Sequence, residues 1–297
     1  MKKLALLLML VAPLASAQDW MATSFDHTLV SPGIYMLRGA DSKLPVGGTA
    51  LLVGDEHVVL IDDSFTPLAP ALLEKIEELA GRPADFVINT HAHGDHTGTN
   101  QFQAEHGAII FGHDNLRSRM KNDPEQNTGP GALPIITFSD EMTFHVNGIE
   151  AYVFHIENAH TDGDAAILFR EPNVIATGDL LFRGLFPFID LDSGGSVAGY
   201  EAGMQRLIDM SDDSTKFIPG HGPLASRRDV QQDLDMLVDA EARVKALIDK
   251  GMGEEDIVAA NPLAVYSDDY NWQFITTEKM TRTLIRSLTS DQDQNGQ

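Results

Sequence analysis

The stretch NTHAHGDHTGTN, Asn89 to Asn100, sets His91, His93, Asp95 and His96 within six consecutive positions. It runs straight on from DFVINT, Asp85 to Thr90, a compact apolar run that reads as a strand. Imidazoles at i and i+2 on a segment leaving a strand can converge on one cation. The Asp and His that follow can turn toward a second, given a tight turn such as Gly94 permits. The competing reading is a polar turn that happens to be rich in imidazole. Four ligands do not hold two metals, because zinc in hydrolytic sites takes about three protein ligands and keeps a water. The rest of the chain has to supply the others.

Three further residues have the right character. His160 in NAHTDGD follows a strand ending near Phe154, Asp179 in IATGDLLF follows a strand Val174 to Thr177, and His221 in FIPGHGP follows Phe217 to Pro219. Each sits just beyond an apolar run, beside small residues. Singly, each would pass for a cap or a surface residue. As an ordered set with the cluster at 91–96 they favour a metal site.

The surrounding pattern is that of a single α/β domain. Short β-rich runs at Gly33 to Leu37, Thr49 to Val53 and Val58 to Ile61 precede an amphipathic helix at Ala69 to Leu79. More β-like runs follow at Ala108 to Phe111, Ile135 to Phe138, Ala151 to Phe154 and Ala165 to Phe169. Helices are expected at Val197 to Asp209, Leu224 to Lys250 and Asp269 to Ser287. Asn122 to Pro134 and Arg183 to Ser196 read as long loops, where binding function tends to sit. No low-complexity linker divides residues 18–290, and residues 291–297 read as a disordered tail.

The N-terminus reads as a secretory leader. Lys2 and Lys3 precede the apolar run Leu4 to Leu14, then Ala15-Ser16-Ala17 offers an A-x-A cleavage site. The run is too short to span a bilayer, and no later segment approaches eighteen unbroken apolar residues. The mature protein is therefore expected in the periplasm or outside the cell, with no membrane insertion. The chain has no cysteine, which excludes disulfides, thiolate ligands and a cysteine nucleophile. Its formal charge is −23, and cleavage of Lys2 and Lys3 with the leader makes it −25. So acidic a surface repels phosphate backbones and anionic headgroups, so nucleic acid is not an expected partner and a small-molecule substrate is.

On these residues the chain resembles the metallo-β-lactamase superfamily, whose pattern is H-x-H-x-D-H followed by a His, a bridging Asp and a final His. The motifs span Asp62 to His221. The resemblance implies an αββα sandwich, two mixed sheets flanked by helices. It also implies that His91, His93 and His160 bind one metal, that Asp95, His96 and His221 bind a second, and that Asp179 bridges them. Asp62 in VVLIDD matches the strand-end aspartate that supports the ligand loop by hydrogen bonding. Two Zn²⁺ so held bring the pKa of a shared water to roughly 7, which supplies a nucleophile at neutral pH. Asp95 would orient it and relay its proton to the leaving atom.

Fold does not fix substrate. Export and the His/Asp-only ligand set resemble the cysteine-free β-lactamases of the superfamily. The bridging Asp179 resembles its generalist hydrolases, the glyoxalase II thioesterases, lactonases and phosphodiesterases, and true lactamases generally lack it. The expectation is an exported dinuclear zinc hydrolase acting on a small ester, lactone, thioester or amide-like bond. The alternatives are a class B β-lactamase, a mononuclear iron dioxygenase of the same fold and a non-catalytic metal-binding protein, with Fe or Mn in place of zinc. Outside the motif, Arg183 is a candidate to hold a substrate carboxylate, against the reading of an ordinary ion pair. Phe186 and Phe188 either line an apolar pocket or anchor their loop. Tyr266, Tyr270 and Trp272 read as packing. His27, His57, His106, His113, His145 and His155 are read as surface or structural histidines.

Overall fold

The computed structural model describes residues 24–40, 47–124, 126 and 129–295. In the first half of the chain β1 (Phe25–Ser31), β2 (Ile34–Gly39), β3 (Thr49–Val53) and β4 (Val58–Ile61) form an antiparallel meander. α1 (Ala69–Ala80) then crosses over, so that β5 (Phe86–Ile88) adds parallel to β4. α2 (Gly94–Thr97) and α3 (Asn100–Glu105) lead to β6 (Ile109–His113), and α4 (Asp114–Asn122) leads toward β7 (Ile136–Phe138), again in parallel. The seven strands stand in sequence order.

The second half begins with another meander, β8 (Glu141–Val146), β9 (Ile149–Ile156), β10 (Asp164–Phe169) and β11 (Val174–Phe182). α5 (Val197–Asp209) crosses to β12 (Lys216–His221), parallel to β11, and β13 (Ala225–Ser226) closes the edge. α6 (Arg227–Ile248), α7 (Glu254–Ala260), α8 (Ser267–Tyr270) and α9 (Thr277–Asn295) follow. Both sheets are mixed, with helices against their outer faces. The expected αββα architecture is what the chain adopts.

Strand periodicity explains the layering. Along β3 and β4, Ala50, Leu52, Val59 and Ile61 point into the space between the sheets, where they meet Val153, Ile167, Ala176 and Ile218. Their neighbours Leu51, Val58 and Leu60 point outward, against Leu72 and Ile76 of α1. Strands buried on both faces read as unbroken apolar runs, which is why VVLI shows no alternation. On the far side Phe154, Leu168 and Ile175 pack beneath Tyr200 and Leu207 of α5 and Leu237 of α6. A Ser226–Asp229 capping box starts α6 at the end of β13.

The structure departs from the expected elements in several places. β11 does not stop at Thr177. Gly178 adopts φ +52, the register with β12 shifts there, and the strand resumes through Phe182. The expected helix from Asp269 is broken into α8 and α9, because Asn271 is extended and its side chain accepts the Thr277 backbone N–H. β1, β8, α2, α3, α4 and α7 are not among the expected elements, and the helix expected from Leu224 starts at Arg227, after β13 at Ala225–Ser226. α9 continues to Asn295, through positions expected to be disordered. Helical bonding nucleated on buried Met280, Leu284 and Ile285 propagates one bond per residue past the last apolar side chain. Residues 296–297 and the expected leader at residues 1–17 lie outside the described residues.

Candidate metal centre

β4, β5 and β12 deliver their C-terminal ends to one edge of the sandwich, where open α/β sheets bind ligands. β4 ends at Asp62, which has φ 61, an uncommon conformation for a residue with a Cβ. Its buried carboxylate accepts the Thr90 backbone N–H at 2.7 Å and the Thr90 hydroxyl at 2.8 Å, and lies 2.8 Å from His96 Nδ1. Asp62 therefore ties the end of β4 to both ends of the segment that carries the cluster. Asn89 reinforces the tie by donating to the His96 carbonyl at 2.9 Å.

The seven expected ligands converge as two groups. His91, His93, His160 and Asp179 form one, and Asp95, His96 and His221 the other, each with its ligand atoms within 4.8 Å of one another. Asp179 stands between them. Its Oδ2 lies 3.7 Å from His91 Nε2 and 3.5 Å from His160 Nε2, while its Oδ1 lies 3.1 Å from His96 Nε2 and 3.4 Å from His221 Nε2. Asp95 Oδ2 is 3.4 Å from His96 Nε2 and 3.3 Å from His221 Nε2.

Hydrogen bonds on the outer side of each ring decide what faces inward. His160 Nδ1 donates to the Phe188 carbonyl at 2.6 Å, and His93 Nε2 donates to Asp190 at 3.0 Å. Their other nitrogens, His160 Nε2 and His93 Nδ1, then confront one another at 2.9 Å as two lone pairs. That arrangement is repulsive unless a cation sits between them. His91 Nε2, His96 Nε2 and Asp179 Oδ1 are likewise buried with no hydrogen-bond partner among the described residues. Buried polar atoms are normally satisfied, so several orphans facing one point fit a bound metal.

The electrostatics agree. Burial and the neighbouring imidazoles hold His91 well below the usual histidine range, and burial brings His160 down to about 4, so both are neutral ligands at pH 7. Burial opposes ionisation of Asp179, yet His221, His96 and His91 outweigh it and hold the carboxyl well below its ordinary value. Burial also works against charge on His221, but Asp179 and Asp95 draw it up to about 9. Ionised carboxylates this deep make the centre a well for positive charge.

Asp190 had not been foreseen. It lies in the loop after β11, far from any motif, and its carboxylate fixes the His93 tautomer that leaves Nδ1 facing inward. Asp190 Oδ1 accepts the backbone N–H groups of Asp192 and Ser193, which holds it in place. The one sequence signal was the length of that loop.

Arg183 is not brought into the site. Its guanidinium pairs with Asp229 at 2.7 Å and Asp233 at 3.2 Å, fastening the start of α6 beside His221. Phe186 is fully buried and anchors the loop, while Phe188 lines a cavity over the metal ligands. Trp272, expected to pack, also lines that cavity, whereas Tyr270 packs in the core and donates to Asp233. His155 stands outside the centre, stacked on His113 with ring centroids 3.9 Å apart.

The cavity has a volume of about 290 Å³ and a floor of His93, Asp95, Asp179 and His221. Its walls are aromatic: Phe65, Phe182, Phe188, Trp272 and Phe274. A larger polar cleft of about 470 Å³ is also lined by His93, but its Arg119 is locked in a two-pronged pair with Asp162.

An αββα sandwich carrying a His/Asp centre at its sheet edge defines a class of metal-dependent hydrolase folds. The family model of the metallo-beta-lactamase superfamily matches residues 44–243, and the chain belongs to that superfamily. A hydroxyacylglutathione hydrolase of Pelagibacter ubique is 31% identical over 98 residues, covering 33% of this chain and 36% of that protein. The alpha subunit of the 2,4-dinitroanisole O-demethylase of a Nocardioides strain is 24% identical over 195 residues, covering 63% of this chain and 56% of that protein. The chain thus spans about a third to a half of the length of these curated relatives. A metallo-beta-lactamase from Pontibacter korlensis superposes with a TM-score of 0.61 at 18% identity, covering 73% of this chain and all of that one.

Proposed function

We propose that the protein is an exported dinuclear zinc hydrolase that cleaves a small ester, lactone or thioester. The observation that carries this reading is the division of Asp179, with one carboxylate oxygen toward each group of histidines. The likeness to a hydroxyacylglutathione hydrolase supports thioester-type chemistry, and the Lys2-Lys3, Leu4 to Leu14 and Ala15-Ser16-Ala17 pattern supports export.

Bound at these seven residues, two zinc ions would polarise a carbonyl and bring the pKa of water toward neutrality. The chain supplies the rest. Burial keeps His91 and His160 neutral, and the outer hydrogen bonds of His93 and His160 leave His93 Nδ1 and His160 Nε2 facing inward. Asp95, held ionised by His96 and His221 despite its burial, takes the proton of the attacking water on its carboxylate and returns it to the leaving sulfur or oxygen. Water thereby adds to the carbonyl carbon, the carbonyl–heteroatom bond breaks, and an acid and a thiol or alcohol depart. The aromatic walls surround the floor with apolar surface.

The test is initial rates on a neutral thioester, a lactone and a β-lactam, with zinc-loaded protein and with its Asp179→Ala variant. Turnover of the thioester or lactone above the β-lactam, falling at least about a hundredfold in the variant, is expected. Rates unaffected by Asp179→Ala, or no hydrolysis by protein that has bound zinc, would overturn the reading.

A further inference from the structure

Resting on the hydrolase reading, we propose that the substrate carries a compact, uncharged apolar group, best an aromatic ring, beside the scissile carbonyl, and that Phe188, Trp272 and Phe274 select it. The aromatic walls track the metal ligands on both sides. Phe182 stacks on His221 at 4.7 Å with Trp272 5.8 Å away, and Phe188 stacks on His93 at 5.6 Å. Phe274 closes the arch, 5.6 Å from Trp272 and 5.1 Å from Phe188.

None of these walls offers a polar handle. The Trp272 indole N–H is already used on the Phe186 carbonyl at 2.9 Å. Lys279 stands at the rim with its ammonium 3.7 Å from the Phe274 ring centroid, a cation–π contact that steadies the ring from outside the lining. Phe274 is nonetheless 43% exposed, a large apolar side chain left in solvent at the mouth of an apolar cavity. A cavity of roughly 150 Å³ lined by apolar groups takes up benzene. At about 290 Å³ this one has room for a ring and a reacting carbonyl together.

The same walls offer a charged acyl donor no compensation for its lost hydration. Among the described residues no lysine or arginine lines the cavity, and the Lys279 ammonium lies outside it, 3.7 Å from the Phe274 ring centroid and 5.9 Å from that of Phe188. The carboxylates of an anionic tripeptide thioester would lose hydration against these aromatic walls, with only the Lys279 ammonium at the rim to meet them, which is costly. The chain therefore differs in acyl-donor preference from the relative named for hydroxyacylglutathione.

Two arms test this on zinc-loaded full-length protein. The chain has two tryptophans, so Trp20→Phe leaves Trp272 as the sole reporter. Titration with phenylacetone, an uncharged ketone that cannot be hydrolysed, should give a saturable fluorescence change, weakened about fivefold or more by Phe274→Ala. S-methylglutathione should give none. In the kinetic arm, the phenylacetyl thioester of N-acetylcysteamine should exceed S-lactoylglutathione in kcat/KM by about tenfold or more. Phe274→Ala should raise KM for the phenylacetyl substrate with zinc content unchanged. Equal or better turnover of S-lactoylglutathione, or a saturable response to S-methylglutathione with none to the ketone, would overturn the proposal and leave the hydrolase reading standing. No hydrolysis of either thioester or of a lactone by the zinc-loaded protein would overturn the hydrolase reading itself, while the ketone titration would still decide the preference of the pocket.

Discussion

Two aspartates that touch no substrate hold the geometry of the centre. Asp62 accepts from Thr90 and His96 at once, and Asp190 accepts from His93. Removing a group that orients a metal-bound histidine costs about 10- to 100-fold in affinity. Asp190→Ala should therefore weaken zinc binding by about tenfold, with Asp190→Asn intermediate, because an amide oxygen still accepts from Nε2 but brings no charge. Competition with a chelating dye measures both, and unchanged affinity in Asp190→Ala would exclude the role. At this scale the sequence was informative where a His or Asp lies just beyond an apolar run, beside small residues. His160, Asp179 and His221 were found that way. Asp190 was not, because its place beside His93 is set by how the loop after β11 folds back and not by any spacing along the chain.

The elements explain why the ligands meet. The bulge at Gly178 turns Asp179 into the space between the two groups and lets β11 run on to Phe182, whose ring backs His221. Apolar runs revealed the buried strands, but a bulge depends on one backbone angle at one glycine and leaves no periodic trace. β8 escaped for a related reason: it is an edge strand with only one neighbour, and its exposed positions dilute the apolar pattern. Within the centre, glycine is required at Gly220 in β12, where a Cβ would stand 2.0 Å from Asp179 Oδ1. Gly220→Ala must displace that carboxylate or the strand beneath it. The expected outcome is loss of at least one zinc per chain and a destabilisation of about 1–3 kcal/mol, read by metal analysis and thermal unfolding. Full zinc content in this variant would show that Asp179 does not need its observed position.

For the molecule as a whole, the two halves of the sandwich each contribute ligands, so metal and fold should be coupled. Chelation is expected to lower Tm by about 5 °C or more, since a ligand that binds only the folded state stabilises it in proportion to the logarithm of its saturation. A second whole-molecule property follows from Glu201 on α5. Burial, and then Glu241 on α6, raise its carboxyl to about 7, and Oε1 is buried with no hydrogen-bond partner among the described residues. The folded protein therefore holds a proton there that the unfolded chain has lost above the ordinary glutamate range. The folded state is penalised increasingly as pH climbs from about 4.5 toward 7, and fully above that. Glu201→Gln should leave stability near pH 4.5 unchanged and raise it at pH 8 by something on the order of 1 kcal/mol, discounted for partial exposure. Equal effects at both pH values would contradict this origin. The layered fold was legible from the order of strands and helices only once the ligand motif had been read, because that order is compatible with other α/β arrangements.

The most direct measurement is the zinc content of the purified protein, taken alongside Asp179→Ala. Two zinc ions per chain, falling to one or fewer in the variant, are predicted by a carboxylate shared between two groups of histidines. A single iron, or zinc content indifferent to Asp179, would contradict a dinuclear centre bridged by this residue.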